Sequence, residues 1–170
     1  YKGNATVTGR ESPLSLYDAS NNLYRTTINR WDNTPLDFGR DFVSLVRELT
    51  LDYDGDADHK DRATTYSYKA TNGNLTGKVE WGEVIGSDNG TFTDVGTDLA
   101  STTIAYAAST TLHLVGLPSR ETTLDSASST VKDTRVYYDG LADGSVSKGS
   151  ETKREHWISG STWIDTEKTY

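Results

Sequence analysis

The sequence contains no cysteine and no methionine, and only three of its 170 residues are proline. Without cysteine the chain has no disulfide framework, no thiolate metal site and no cysteine nucleophile. Long apolar runs are missing as well, so insertion into a membrane is not expected. A chain of this length can bury one core of ordinary domain size, and two such cores would fit only with difficulty.

Basic residues are also in short supply. The chain has 17 Lys and Arg against 25 Asp and Glu, which gives a net charge of -8. The basic residues are scattered, and Lys153-Arg154 is the densest pair. Because nucleic-acid binding needs patches of Lys and Arg that neutralise phosphates, no nucleic-acid partner is expected. An anionic membrane surface is disfavoured for the same reason.

The residues that are abundant indicate β-structure. Thr, Ser, Gly, Asn and Asp are frequent, and the chain has ten Tyr and four Trp. β-branched and aromatic side chains fit a pleated, half-buried surface, whereas Gly, Asn and Asp supply turns. Amphipathic helical stripes are hard to find. The composition therefore predicts an all-β chain.

The clearest periodic run covers residues 43–53. Alternating apolar residues mark one face of it: Val43, Leu45, Leu49, Leu51 and Tyr53. Period two over this length predicts a strand with one buried face. A helix over residues 40–51 is the main alternative, because apolar residues there also fall at helical spacing. We prefer the strand, since the run leads directly into the turn Tyr53-Asp54-Gly55.

Further short runs also have the character of strands. They are Leu23 to Trp31, Thr64 to Tyr68, Leu75 to Trp81, Thr102 to Tyr106, Thr111 to Leu114, Thr130 to Tyr138, Lys153 to Ile158 and Trp163 to Tyr170. Asn72-Gly73 lies between the second and third of these, and Asn-Gly is the strongest short hairpin signal. Short strands separated by turns are typical of a sandwich, a barrel or a repeated sheet.

A loose internal repeat organises these strands. Each unit has Tyr, a turn rich in Asp, Asn or Gly, an apolar residue, and a strand that reaches Trp. The units lie near residues 17–31, 66–81 and 138–157, and a fourth begins at Lys168-Thr169-Tyr170. In such a unit Tyr buries its ring, Asp accepts backbone hydrogen bonds, and Gly or Asn takes the positive φ. A single hairpin cannot bury its face alone, so neighbouring units must stack.

The pattern Tyr-Asp-x-x-Gly/Asn-Asn-Leu resembles the YD repeats of bacterial Rhs proteins, of the B and C subunits of insecticidal toxin complexes, and of teneurins. Residues 135–141 and 167–170 look like the stretches that lead into successive repeats. The chain departs from the pattern at Lys69, where Asp is usual, and at Asn21, where Gly is usual. These departures indicate a degenerate region of a repeat array or a region that flanks one.

The resemblance implies antiparallel hairpins stacked into a curved, repeat-type β-sheet, with a β-sandwich as the alternative. It implies a non-catalytic segment, residues 1–170, cut from a larger secreted or cell-surface protein. In the family the sheet forms a shell or scaffold that encloses or presents a toxin-like or variable region. The expected partners are the rest of the parent chain and that enclosed region, with association through open strand edges. The family's autoproteolytic core motif has no match here, so no catalytic residue carries over.

No catalytic constellation emerges from the residues either. His59, His113 and His156 are far apart in the sequence, and His113, between two Leu, is expected to be a solvated strand position. Neither a Gly-x-Ser-x-Gly elbow nor a glycine-rich phosphate loop is present. The sequence therefore predicts no enzyme, no cofactor, and no catalytic, cofactor-binding or metal-ligating residue.

Two binding alternatives stay open. Glu80 and Glu83 flank Trp81, an arrangement that suits a sugar-binding groove, so a glycan-binding or adhesive β-sandwich is the alternative function. Solvated strand edges beside a core Trp are the preferred interpretation.

The acidic run from Asp52 to Asp61 is similar to a calcium loop, but Lys60 and other residues depart from the ligand pattern. A solvated acidic turn is preferred there.

Overall fold

A computed structural model describes residues 13–36, 40–55, 58–109 and 111–169. These residues contain no helix, which confirms the predicted all-β class. They form eleven strands: β1 (Leu14–Tyr17), β2 (Leu23–Pro35), β3 (Asp41–Asp52), β4 (Lys60–Tyr68), β5 (Leu75–Gly86), β6 (Phe92–Asp94), β7 (Ala100–Ser109), β8 (Leu114–Asp125), β9 (Thr130–Tyr138), β10 (Glu151–Ser159) and β11 (Thr162–Glu167).

All eleven strands belong to one antiparallel sheet that does not close. Ten of them follow each other in chain order, from β1 to β5 and then from β7 to β11, while β6 pairs only with β5. Each strand is therefore joined to its neighbour by a hairpin or a longer excursion. The sandwich alternative would need a second packed sheet, and the described strands form a single one. β1 and β11 lie at its two ends.

β-Bulges interrupt most of the strand pairings. The register shifts between β1 and β2, β2 and β3, β4 and β5, β7 and β8, β8 and β9, β9 and β10, and β10 and β11. A bulge bends its strand and increases the local right-handed twist. This distribution is consistent with the curved, repeat-type sheet expected from the sequence.

The periodic run at residues 43–53 is a strand, β3, and the helical alternative is wrong. One other predicted segment is also wrong. Thr111 to Leu114 was expected to be a strand, but residues 111–113 form a turn in which His113 has a φ of 53°. β8 begins only at Leu114 and continues to Asp125, a strand that the sequence pattern did not predict. Strands β1 and β6 were not predicted either, and the predicted Tyr170 lies outside the described residues.

The larger apolar cluster lies where the end of β3, the first half of β4 and the end of β5 are side by side. Its buried members are Leu49, Leu51, Ala63 and Val84, with Trp81 and Phe92 packed against them. Phe92 belongs to β6, so the excursion between β5 and β7 folds back over the sheet. Gly86 at the start of that excursion allows a close approach, because an added Cβ would lie 2.8 Å from Leu51 Cδ2.

A second cluster lies at the other half of the sheet. It contains Ala107, Val136, Tyr138 and Val146, with Leu114 and Leu117 packed against it. Val146 is part of the connection between β9 and β10, residues 139–150, so this excursion also folds back to cover strand residues. Both clusters therefore combine strand residues with a connection that returns onto the sheet.

Truncation of Leu49 tests this account of the core. Leu49 has no solvent-exposed surface, and Leu49→Ala is expected to lower the free energy of unfolding by about 2–5 kcal/mol, because it leaves a cavity among packed side chains. Urea titration followed by tryptophan fluorescence measures the change. Leu112→Ala is the matched control, since Leu112 is 54% exposed in a turn, and it should change stability by less than about 0.5 kcal/mol. Equal effects of the two variants would contradict the placement of the core.

Candidate functional site

The turns that join the strands carry the repeat. In the first unit Asp18 accepts hydrogen bonds at Oδ1 from the amides of Ser20 and Asn22, at 2.8 and 2.7 Å. Its Oδ2 accepts the side-chain amide of Asn22 at 2.9 Å. Asn21 has a φ of 64°, as expected for the residue in the Gly position. The Asn22 side-chain hydrogen bond, with the backbone bonds, holds the pKa of Asp18 below its ordinary value.

The same five-residue turn recurs outside the predicted units. At residues 18–22, 87–91 and 125–129 the first amide donates to the fifth carbonyl, and the fourth amide donates to the first carbonyl. The fourth residue has positive φ in each case: Asn21, Gly90 and Ser128. Asp125 accepts from the amides of Ala127 and Ser129, as Asp18 does in its own turn. The repeat of turn geometry is therefore more regular than the repeat of Tyr and Trp.

The third unit has the most extensive version of this chemistry. Tyr138-Asp139-Gly140-Leu141 is a type I′ turn, with φ of 57° at Asp139 and 70° at Gly140 and a 2.9 Å hydrogen bond from the Leu141 amide to the Tyr138 carbonyl. The Asp139 carboxylate accepts four backbone amides at 2.7–3.0 Å, from residues 147 to 150. One carboxylate thus closes the whole excursion that supplies Val146 to the second cluster.

The second unit lacks this carboxylate, in line with Lys69 at the usual Asp position. Its turn is held by the amides of Asn72 and Gly73, which donate to the Lys69 carbonyl at 3.2 and 2.8 Å. Gly73 has a φ of 75°, and its α-carbon lies against Phe42, where an added Cβ would be 3.0 Å from the ring. The Asn-Gly hairpin between β4 and β5 is therefore confirmed, with backbone contacts in place of the Asp side chain.

The Tyr residues of the three units are not equivalent. Tyr138 is only 6% exposed and donates its hydroxyl to the Pro118 carbonyl at 2.8 Å, as the expected buried Tyr should. Tyr66 is half-buried. Tyr17 is 58% exposed because it ends β1, the first strand of the sheet order, which has a neighbour on one side only among the described strands.

The three Trp residues occupy more similar positions. Trp31, Trp81 and Trp157 are half-buried, and each lies at a β-bulge. Trp81 donates from Nε1 to Thr65 Oγ1 at 3.0 Å and packs edge-on against Phe92, with ring centroids 5.5 Å apart. Trp157 donates from Nε1 to the Gly160 carbonyl at 2.9 Å. A Trp side chain thus lies at one bulge in each of the three units.

The sugar groove considered around Trp81 is not formed. Glu80 pairs with Thr64, and Glu83 pairs with Arg62, so both carboxylates leave β5 on one face. The Trp81 ring bonds to Thr65 and packs in the apolar cluster on the opposite face. Glu80 is instead ion-paired with Lys78 at 2.9 Å on the surface.

The three histidines lie in separate parts of the sheet. His59 contacts the buried Asp61 through Nδ1 and packs edge-on against Tyr53, with ring centroids 4.9 Å apart. His113 is exposed, as expected, although it lies in a turn rather than a strand. His156 Nδ1 is 3.2 Å from Thr134 Oγ1. Across the described ranges no group of three or more His, Asp or Glu is placed to hold a metal ion.

The carboxylates that begin and end the acidic run already have protein partners. Asp52 is ion-paired with Arg25 and with Arg62. Asp61 is 6% exposed, and its Oδ2 accepts the Gly86 amide at 2.7 Å. Asp56, a further acidic position of the calcium-like run, lies outside the described residues. Beside the run is an open cleft of about 780 Å³ whose walls include Tyr24 and Tyr53.

Substitution of Asp139 tests the role of the turns. Backbone hydrogen bonds from Gly149 and Lys148, with those of two neighbours, hold the pKa of Asp139 well below its ordinary value of 3.8. The ionised carboxylate therefore contributes stability that is complete above about pH 4 and is lost as the pH falls toward the lowered pKa. Asp139→Asn should lower the Tm by a few degrees at pH 7, because an amide nitrogen cannot accept these bonds.

The difference in Tm between wild type and Asp139→Asn should narrow as the pH is lowered from 4 to 2, which differential scanning calorimetry at each pH would record. Asp143→Asn is the matched control, since Asp143 lies exposed in the same connection. It should leave the Tm unchanged at pH 7. A Tm for Asp139→Asn equal to that of wild type would contradict the assigned role.

Neither a protein-family model nor a curated protein matches this chain. In the part of the chain that the structure describes, no helix is long and apolar enough to cross a membrane.

Proposed function

We propose that this chain is a non-catalytic structural segment of a large secreted or cell-surface protein of the YD-repeat type. Its open sheet would form part of a β-shell or scaffold that encloses or presents a toxin-like or variable region. The observation that carries the proposal is the open sheet, whose end strands β1 and β11 each have a neighbour on one side only among the described strands. Its partners would be the preceding and following strands of the parent chain and the enclosed region.

The end strand β1, which has one neighbour among the described strands, is unusually apolar. β1 has the sequence Leu-Ser-Leu-Tyr and carries no charged residue. Leu14, Leu16 and Tyr17 are 48%, 50% and 58% exposed. Strands that remain at the edge of a sheet are ordinarily protected by charged residues, by proline or by a covering element. These side chains are therefore better suited to contact with a further strand or with an enclosed segment than to permanent exposure.

The last strand, β11, has a mixed edge. Ile164 is 58% exposed, and its neighbour Asp165 is held by Lys153 at 3.5 Å. Lys153 also bridges to Glu155 on its own strand at 2.7 Å, and Glu155 lies 3.9 Å from Arg135 of β9, so a row of charged side chains crosses β9, β10 and β11. Rows of this kind continue from strand to strand in an extended sheet, and at β11 the row ends without a further partner among the described strands.

Local packing also supports a repeat architecture. The two apolar clusters are separate, and each involves neighbouring strands and a connection that returns onto them. Stability in repeat proteins comes from such nearest-neighbour contacts rather than from one central core. A sheet built in this way can be lengthened at either end without rearranging its interior.

Glycan binding is the second candidate, and the cleft near β2, β3 and β4 is the observation that favours it. Tyr24 is 45% exposed at this cleft, and Arg62 lies beside it. Aromatic faces with nearby polar groups are suited to sugars. The open edges are unexplained under this alternative, so the structural role is preferred.

Small-angle scattering with light scattering on the isolated chain tests the structural role. A compact 170-residue monomer would have a radius of gyration of about 15–16 Å. We expect a larger value, or concentration-dependent association through the open edges. Leu16→Lys should reduce the association, because a charge on an edge strand opposes pairing.

Ile85→Lys is the matched control, since Ile85 is 67% exposed but belongs to β5, which pairs with β4 on one side and with β6 on the other at this end of the strand. It should leave association as in wild type. A compact monomer at all concentrations, unaffected by either variant, would contradict the structural role and would make glycan screening the next experiment.

A further inference from the structure

Two arginines face each other across β2 and β3. Arg30 is paired directly with Arg47 in the register of these strands. The next pair on the same face is Ile28 with Leu49, so both arginines lie beside the larger apolar cluster. Like charges placed directly opposite each other on a sheet are destabilising. The pairing therefore calls for a compensating group.

Five other arginines among the described residues form ion pairs, and they show how a guanidinium group is ordinarily neutralised in this chain. Each has a carboxylate within 4 Å: Arg25 and Arg62 have Asp52, Arg120 has Asp133, Arg135 has Glu155, and Arg154 has Glu151. Among the described residues Arg30 and Arg47 have no such carboxylate. In a chain with a net charge of -8, this pair is a local exception to the acidic surface.

Arg47 is also the less hydrated member of the pair. It is half-buried, its guanidinium lies 5.9 Å from the centre of the Phe92 ring, and its Nε is buried without a hydrogen-bond partner in the described residues. Gly90 on the returning connection lies close by, since an added Cβ there would be 3.4 Å from an Arg47 terminal nitrogen. Burial, with a smaller contribution from Arg30, lowers the pKa of Arg47.

We propose that Arg30 and Arg47 form a binding site for an oxyanion, that is, a carboxylate or phosphate group. An oxyanion placed between the two guanidinium groups would remove the like-charge repulsion and supply acceptors to planar donor groups that match its geometry. Arg30 is exposed and gives access to the site from solvent. The source is either a free anion or an acidic side chain of another protein segment. The site goes beyond the proposed shell function, because its two arginines belong to β2 and β3 and not to the end strands β1 and β11.

Thermal unfolding in low-millimolar inorganic phosphate, against chloride at matched ionic strength, tests the proposal. Wild type should show a saturable rise in Tm, which Arg30→Gln and Arg47→Gln should abolish. Arg62→Gln is the matched control and should keep the rise, since Arg62 belongs to an adjacent strand and has Asp52 as its partner. Arg30→Gln should also have a Tm at or above that of wild type in chloride alone, because the repulsion is removed.

A parallel titration with a short Glu-containing peptide distinguishes the two sources. If the rise in Tm saturates at a lower concentration of peptide than of phosphate, the natural ligand is an acidic protein segment. If only phosphate gives a saturable rise, the natural ligand is a free anion. Both results support the site, provided that Arg30→Gln removes them. Absence of a saturable rise with either probe, or an equal rise in Arg30→Gln, would overturn the proposal. Arg30 is exposed, so its variant tests the site even if Arg47→Gln fails to fold.

Discussion

A single β-sheet has no second layer to pack against, and the rest of this structure depends on how its apolar residues are covered. Here two connections return onto the strands. The excursion between β5 and β7 brings Phe92 onto Leu49 and its neighbours, and the excursion between β9 and β10 brings Val146 against Tyr138. The cost of ordering these connections is offset by hydrogen bonds that fix their ends, of which the Asp139 carboxylate with its four amides is the most developed.

This arrangement explains why the chain is organised around its turns. Because each cluster is local, neighbouring hairpins stabilise each other without a central core, and the five-residue turns at residues 18–22, 87–91 and 125–129 set their geometry. The same arrangement leaves the outer edges of β1 and β11 without a neighbour among the described strands. Leu16 on β1 and Ile164 on β11 remain exposed, in agreement with the proposal that further strands continue the sheet on both sides.

Patterns among adjacent residues predicted many of the strands and turns of this fold. The features that were missed depend on contacts between residues that are distant in the sequence. Alternation across residues 43–53 identified β3, and Asn72-Gly73 identified the hairpin between β4 and β5, because both signals are contained in a few adjacent residues. β8 was missed since a bulge near Ser119 interrupts its alternation, and His113 was placed in a strand because positive φ at a non-glycine residue leaves no mark in the pattern. The covering connections and the opposition of Arg30 to Arg47 depend on strand register, which the sequence alone does not fix.

Hydrogen exchange of individual amides in β11 tests the open sheet most directly. The Lys168 amide donates to the Thr152 carbonyl, so by antiparallel alternation the amides of Trp163, Asp165 and Glu167 point away from β10. In a dilute monomer these three amides should exchange as rapidly as in an unstructured peptide, while those of Ile164 and Thr166 are protected. Equal protection of both sets in the monomer would mean that the edge of β11 is already paired, and would contradict the open sheet on which the proposed function rests.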